Sequence, residues 1–198
     1  MLRMSVTGFD QLNLNKYYTY QDYLSWTFPE RVELFMGKVL KMSPAPNRMH
    51  QEISRRLTYF FDQVLWGHSC KLYAAPFDVR LPVSRNKNEQ DTVVQPDIVV
   101  ICDPTKLDDQ GCNGAPDIIV EILSPGNSHK EMKEKFELYE ASLVREYWIV
   151  DPANEYIVIY TLNEENKYVG SKPFVAEEVI KSTVIKEITV EISEVFRT

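Results

Sequence analysis

Cysteine is scarce in this chain. The three present, Cys70, Cys102 and Cys112, are an odd number with no CxxC spacing. That supports neither a disulfide framework nor a structural zinc site, and it points to reduced thiols in a cytoplasmic protein. Long apolar runs are also missing. Nothing approaches the roughly 18 residues that a membrane-spanning helix needs, and Met1 to Lys16 lacks the basic start and apolar centre of a signal peptide. Neither a membrane location nor export is expected. No GxxxxGK[ST] or GxGxxG occurs, and Ser124 stands in Leu-Ser-Pro, not in a G-x-S-x-G elbow. Nucleotide-cradling loops and serine hydrolases lose their support. Surplus positive charge is absent: 22 Lys and Arg against 29 Asp and Glu leave a net charge of −7. A general affinity for polyanions is thereby disfavoured, although a local basic groove or a bound divalent cation offsets such a balance where a phosphate approaches.

What is there describes an ordinary globular chain. Its 198 residues, 44% apolar and 26% charged, suit one domain over residues 1–198 that folds without staples. Thr19, with Asp22 three residues on, opens a helix that ends before Pro29. Arg31 to Phe35 and Lys38 to Met42 flank Met36-Gly37 as a hairpin, followed by a rigid Ser43-Pro44-Ala45-Pro46 elbow. Asn47 caps a longer helix whose Ile53, Leu57, Phe60, Phe61, Val64 and Leu65 form one apolar stripe. Strands are expected over Lys71 to Leu81, Val93 to Cys102 and Asp117 to Leu123, the last two central and buried on both faces. Ser84 to Asp91 and Asp103 to Gly114 read as loops between them. Ser128 with Glu131 forms a capping box for a helix with Met132, Phe136 and Tyr139 on its buried side, ending near Ser142. Strands Glu146 to Val150 and Tyr156 to Thr161 follow, and the tail from Lys172 suggests more strand. The order gives an α+β fold with a mixed sheet.

Two tripeptides repeat, Pro96-Asp97-Ile98 and Pro116-Asp117-Ile118, each at the front of an aliphatic run, and Glu121 lies inside the second run. A carboxylate within Ile-Ile-Val-Glu-Ile-Leu must pair with a base, change its pKa or bind a cation. Asp117 and Glu121 share a face but stand about 13 Å apart along a strand, too far for one metal. A residue on the neighbouring strand lies about 4.8 Å away, which makes Asp97 the partner of Glu121 for a Mg²⁺ or Mn²⁺ ion. Asp117 is left with a strand-start or turn role. On the helix that follows, a wheel at about 100° per residue puts Lys135 nearest to the Met132, Phe136 and Tyr139 stripe, ahead of Lys133 and Lys130. A lysine there could orient water or stabilise phosphate charge, or simply snorkel along the stripe.

With these residues in view, the chain resembles the bacterial family of restriction endonucleases of Uma type, members of the PD-(D/E)XK nuclease superfamily. The match runs from about Arg31 to Tyr160. It passes through Val32-Glu33-Leu34 with Gly37, Met42-Ser43-Pro44, His50, Gln95-Pro96-Asp97, Gly114-Ala115-Pro116-Asp117, Val120-Glu121-Ile122-Leu123-Ser124-Pro125, Lys135 with Tyr139, and Glu146-Tyr147-Trp148-Ile149-Val150-Asp151-Pro152. The resemblance implies a restriction-endonuclease-like fold, a mixed sheet flanked by helices. It implies Asp97 and Glu121 as the catalytic metal-binding pair, Glu33 as a third metal carboxylate, and His50 as proton shuttle or ligand. The superfamily lysine usually stands two residues after the glutamate, where this chain has Leu123, and the family resembled here places it on the next helix as Lys135. The implied activity is hydrolysis of DNA phosphodiesters, with a homodimer supplying two sites for a duplex. The acidic charge and displaced lysine also permit a second reading, a binding or scaffold module that keeps the fold without turnover.

Overall fold

The computed structural model describes residues 6–42, 46–86, 90–125 and 129–197. A short helix α1 (Tyr20–Tyr23) precedes the hairpin β1 (Val32–Phe35) and β2 (Lys38–Lys41), and α2 (Arg48–Leu65) follows. Then come β3 (Lys71–Ala74), β4 (Val79–Arg80), β5 (Val93–Val94), β6 (Ile98–Ile101), β7 (Leu107–Asp108), β8 (Gly111–Asn113) and β9 (Ile118–Ile122). The last part holds α3 (His129–Ala141), β10 (Glu146–Asp151), β11 (Tyr156–Leu162), β12 (Tyr168–Gly170), β13 (Val179–Lys181), β14 (Thr189–Glu191) and α4 (Ile192–Phe196). One mixed sheet runs β2-β1-β5-β4-β8-β7 and a second runs β12-β11-β10-β9-β6-β3, with β13 and β14 as a separate hairpin. The α+β class with helices flanking mixed sheets is thus what the chain adopts.

Local chemistry explains the elements nearest the site. Thr19 and Asp22 form a reciprocal capping box, so two otherwise orphan donors of α1 are satisfied. Met36 and Gly37 take φ of +46° and +79°, the left-handed pair that a two-residue hairpin turn requires. The Asn47 side chain accepts the His50 N–H at 2.9 Å and starts α2. Ile53, Leu57, Phe61 and Leu65, spaced by four, are buried along its inner face.

The second sheet carries the core on both faces. Ile98, Val100, Ile118, Val120, Trp148 and Val150 look toward α2, the β13–β14 hairpin and α4. Val99, Ile101, Ile119, Tyr147 and Ile149 look toward α3 and toward Val79, Leu81 and Val94 of the first sheet. Glu121 alternates with Val120 and Ile122, so it falls on the α3 side.

Several expectations need correction. The run Lys71 to Leu81 is two strands in different sheets, β3 and β4, with Pro76 in the break. Val93 to Cys102 is likewise divided into β5 and β6 at Gln95-Pro96-Asp97, where the chain crosses from one sheet to the other; a proline has no N–H to give a ladder. The Asp103 to Gly114 loop contains β7 and β8, and the tail ends in a helix, α4. The helix opened by Thr19 is, as expected, capped with Asp22 and finished before Pro29, lasting four residues. Ser128 and Ser43-Pro44-Ala45 lie outside the described residues. No described helix is long and apolar enough to cross a membrane.

The expectation of three reduced thiols is also overturned. Cys70 and Cys102 form a disulfide across 32 residues of sequence, while Cys112 is free and buried. The pairing Lys71↔Ile101 between β3 and β6 carries the two cysteines one step further to face each other. That is a consequence of register, which spacing in the sequence does not reveal.

A buried carboxylate fastens the C-terminal segment. Glu146, fully buried at the head of β10, accepts the Trp148 indole N–H at 2.6 Å, the Thr183 N–H and hydroxyl at 2.7 Å each, and the Val184 N–H at 3.2 Å. Replacing it by Ala strands these donors, so Glu146→Ala is expected to lower stability by about 3 kcal/mol or more. Urea unfolding measures this; a change under about 1 kcal/mol would mean that the network contributes no more than an ordinary hydrogen bond.

Candidate active site

Register brings the sequence-predicted residues together. In the antiparallel pair β6 and β9, Ile98 faces Val120 and Val99 faces Ile119, so Asp97, one residue before β6, stands opposite Glu121. The Asp97 carboxylate is held in place by the Ile122 N–H, 2.8 Å from Oδ2. His50, at the start of α2, brings its Nε2 to 3.3 Å from the same oxygen. Glu33 on β1 is buried, and its Oε1 accepts the Gln95 N–H at 2.9 Å. Glu33, His50, Asp97, Glu121 and Lys135 all line one cleft of about 350 Å³, which gathers residues from both sheets and from α2 and α3.

Helix α3 delivers the cation. The Lys135 side chain is only 12% exposed, whereas those of Lys130 and Lys133 are 83% and 75% exposed. Its Nζ lies 2.8 Å from Glu121 Oε1 and 3.5 Å from Glu33 Oε1, bridging the two carboxylates. One turn further along α3, the Tyr139 hydroxyl donates to Glu121 Oε1 at 2.6 Å. Tyr139 enters the sequence reading as an apolar stripe residue and as a position matched with Lys135, without a role of its own; its four-residue spacing from Lys135 is the signal that the two share a target.

The electrostatics follow from this crowding. Burial pushes the Glu121 carboxyl up, Lys135 pulls it back, and the like charges of Asp97 and Glu33 push it up again, to about 7. Burial alone would strip the proton from Lys135, but Glu121 and Glu33 outweigh it and hold the ammonium charged, above its ordinary pKa. Burial pulls the His50 imidazole down, yet its hydrogen bond and attraction to Asp97 leave it raised overall. The His50 Nδ1 is buried without a hydrogen-bond partner among the described residues.

Asp117 is placed apart from this group. Its Oδ2 accepts the Cys102 N–H at 2.8 Å, and its Oδ1 meets Arg145 at 3.0 Å. Trp148 and Tyr147 are buried in the core, with Tyr147 also lining the cleft, while Tyr156 and Tyr160 are half-buried on β11.

Three carboxylates, a lysine and a histidine at one cleft define what the chain can be compared with. The family described as "Putative restriction endonuclease" (Uma2) matches residues 20–193. The chain belongs to that family. It is 26% identical over 151 residues to the uncharacterized protein slr1290 of Synechocystis sp., covering 75% of this chain and 76% of that protein. A crystal structure of a protein described as a putative nuclease belonging to DUF820, from Anabaena variabilis, superposes with a TM-score of 0.69 at 18% identity over 90% of this chain and 97% of the other. That likeness shows the shared fold.

The raised Glu121 carboxyl has a consequence for stability. Between about 4.5, the ordinary value, and about 7, the unfolded chain has released this proton while the folded chain retains it, so stability falls as pH rises through that window. Thermal melts in EDTA are expected to show the decline, and Glu121→Gln is expected to flatten that part of the profile. An unchanged profile in the variant would place the titration elsewhere.

Proposed function

We propose that this chain is a Mg²⁺- or Mn²⁺-dependent endonuclease that hydrolyses phosphodiester bonds in DNA. The observation that carries the reading is the opposed pair Asp97 and Glu121 at a cleft, with Lys135 bonded to Glu121. Membership of the restriction endonuclease family supports the reaction class.

The residues fit a divalent ion of this kind. Among the described residues no three His, Cys, Asp or Glu side chains stand at metal-holding spacing, which accords with Lys135 filling the space between Glu33 and Glu121. Two carboxylates suffice for Mg²⁺, which keeps several of its waters. The donors described for Asp97 all take Oδ2 and those for Glu121 all take Oε1, so each carboxylate retains its other oxygen for a ligand. Burial first, and then repulsion from Asp97 and Glu33, raises Glu121, and a bound cation would offset both by favouring the charged carboxylate. Asp97 and Glu121 would hold the ion, with Glu33 as the third carboxylate of the set.

When bound, the ion would supply an activated water and polarise a phosphoryl oxygen. Hydrolysis joins the water oxygen to phosphorus and breaks one ester P–O bond, with a proton passing to the leaving oxygen. Lys135, held charged, is placed to stabilise negative charge building on the phosphoryl oxygens. The His50 ring, anchored by Asp97 through Nε2, is the proton carrier in this reading. Cutting both strands of a duplex takes two such clefts, hence a homodimer in our reading. A cytoplasmic location goes with a DNA substrate, although reductants there would oppose the Cys70–Cys102 bond.

Plasmid DNA incubated with Mn²⁺ tests the reading. Wild type is expected to nick it; Asp97→Ala and Glu121→Ala are expected to remain folded and to lose the activity, and Lys135→Met to fall by about 10²-fold or more. Full activity in either carboxylate variant would overturn the assignment of that residue. Mn²⁺ should also raise the melting temperature of wild type and not of Asp97→Ala, since a ligand that binds only the folded state stabilises it.

A further inference from the structure

The cleft has a second polar feature that the metal reading leaves unused. Arg31, exposed at its rim, is held by a neutral acceptor: Nε and Nη2 donate to Gln95 Oε1 at 3.0 and 2.7 Å. Among the described residues no carboxylate forms an ion pair with it. The Gln95 amide that holds it is itself locked, its Nε2 donating to Asp78 Oδ1 at 2.7 Å and to the Tyr23 hydroxyl at 3.2 Å. A guanidinium carries five N–H donors. Two are spent on orientation, and among the described residues no hydrogen-bond partner takes the other three.

Nothing about stability requires a guanidinium at this rim to be so fixed. A surface arginine normally loses rotamer entropy for little return, and here the residue that orients it directly is neutral, the Asp78 carboxylate that feels its charge lying one hydrogen bond farther on. The same Gln95 gives its backbone N–H to Glu33 and stands two residues before Asp97. Arg31 is thereby held in one hydrogen-bonded frame with the metal-binding side of the cleft. Lys41, exposed on β2, lines the same rim. The α3 rim opposite mixes Lys130 with Glu131 and Glu134, the latter 3.7 Å from Lys130. The basic edge is therefore the hairpin edge, on a chain whose net charge is −7.

We infer that Arg31 is a phosphate clamp: it engages the non-bridging oxygens of a backbone phosphate of the nucleic acid bound at the cleft, with Gln95 as its positioning residue. The inference rests on the nuclease reading and extends it to the residue that would hold the substrate backbone. Arginine suits this role because its planar fork meets two phosphate oxygens at once, which a lysine cannot do.

A fluorescein-labelled 20-base-pair duplex, titrated with the full chain at several salt concentrations with Ca²⁺ in place of Mg²⁺, tests the clamp. Arg31→Met is expected to bind about tenfold more weakly and to lower the slope of log affinity against log salt by about 0.9, the loss of one phosphate contact. Arg31→Lys should keep the slope and lose several-fold in affinity. Gln95→Met should do the same, because the charge remains but its orientation does not. Thermal melting of Arg31→Met should match wild type, since the side chain is exposed. Wild-type affinity and slope in Arg31→Met would overturn the clamp and leave the nuclease reading standing; weaker binding with an unchanged slope would overturn it too. If wild type itself bound no duplex at low salt, the DNA reading would fall and the clamp with it.

Discussion

A carboxylate in the middle of a hydrophobic strand is the constraint around which this protein is arranged. Glu121 sits between Val120 and Ile122, both buried, where an unpaired charge would cost several kcal/mol. The fold meets that cost by aiming α3 at it. Lys135 and Tyr139, one turn apart, converge on a single oxygen of Glu121, while Leu138 and Tyr139 bury the helix against the sheet. The Lys135 ammonium lies between Glu121 and Glu33, and Asp97 with His50 completes the set of ionisable groups at the cleft.

The second organising feature is the crossing at Gln95-Pro96-Asp97. Here the chain leaves the first sheet after β5 and enters the second at β6, one of the places where it passes between the two layers. The side chains of the crossing are tied into both layers. The Gln95 N–H holds Glu33, its amide links Arg31 to Asp78 and Tyr23, and Asp97 takes the Ile122 N–H and faces His50. Chemistry gathers where the ladder breaks, because only there do side-chain and backbone donors remain uncommitted to strand pairing.

The apolar patterns were legible wherever an element is regular. The stripe of α2, the Met36-Gly37 hairpin and the all-aliphatic β9 follow from period and turn chemistry alone. Strand continuity was not. Two runs that read as single strands are each divided between sheets, since an aliphatic run looks the same whether it stays in one sheet or changes partner. The disulfide was hidden for a related reason: Cys70 and Cys102 meet through the register of β3 with β6. Glu146, whose five donors come from Trp148 and the 182–184 segment, carried no mark in sequence that distinguished it from a strand-end residue.

The sequence by itself determined that Glu121 would need a partner and that Asp97 and Lys135 were the candidates, because burial forbids an isolated charge and the periods of strand and helix restrict which residues can reach it. Glu33 and His50 were named through the family resemblance alone, and only the tertiary structure decided that they reach the same cleft, that Tyr139 shares a Glu121 oxygen with Lys135 and that Gln95 ties Arg31 to the rim. The Glu33–Lys135 contact joins residues 102 apart in the chain, and such contacts depend on how two sheets and two helices pack, which no local pattern encodes.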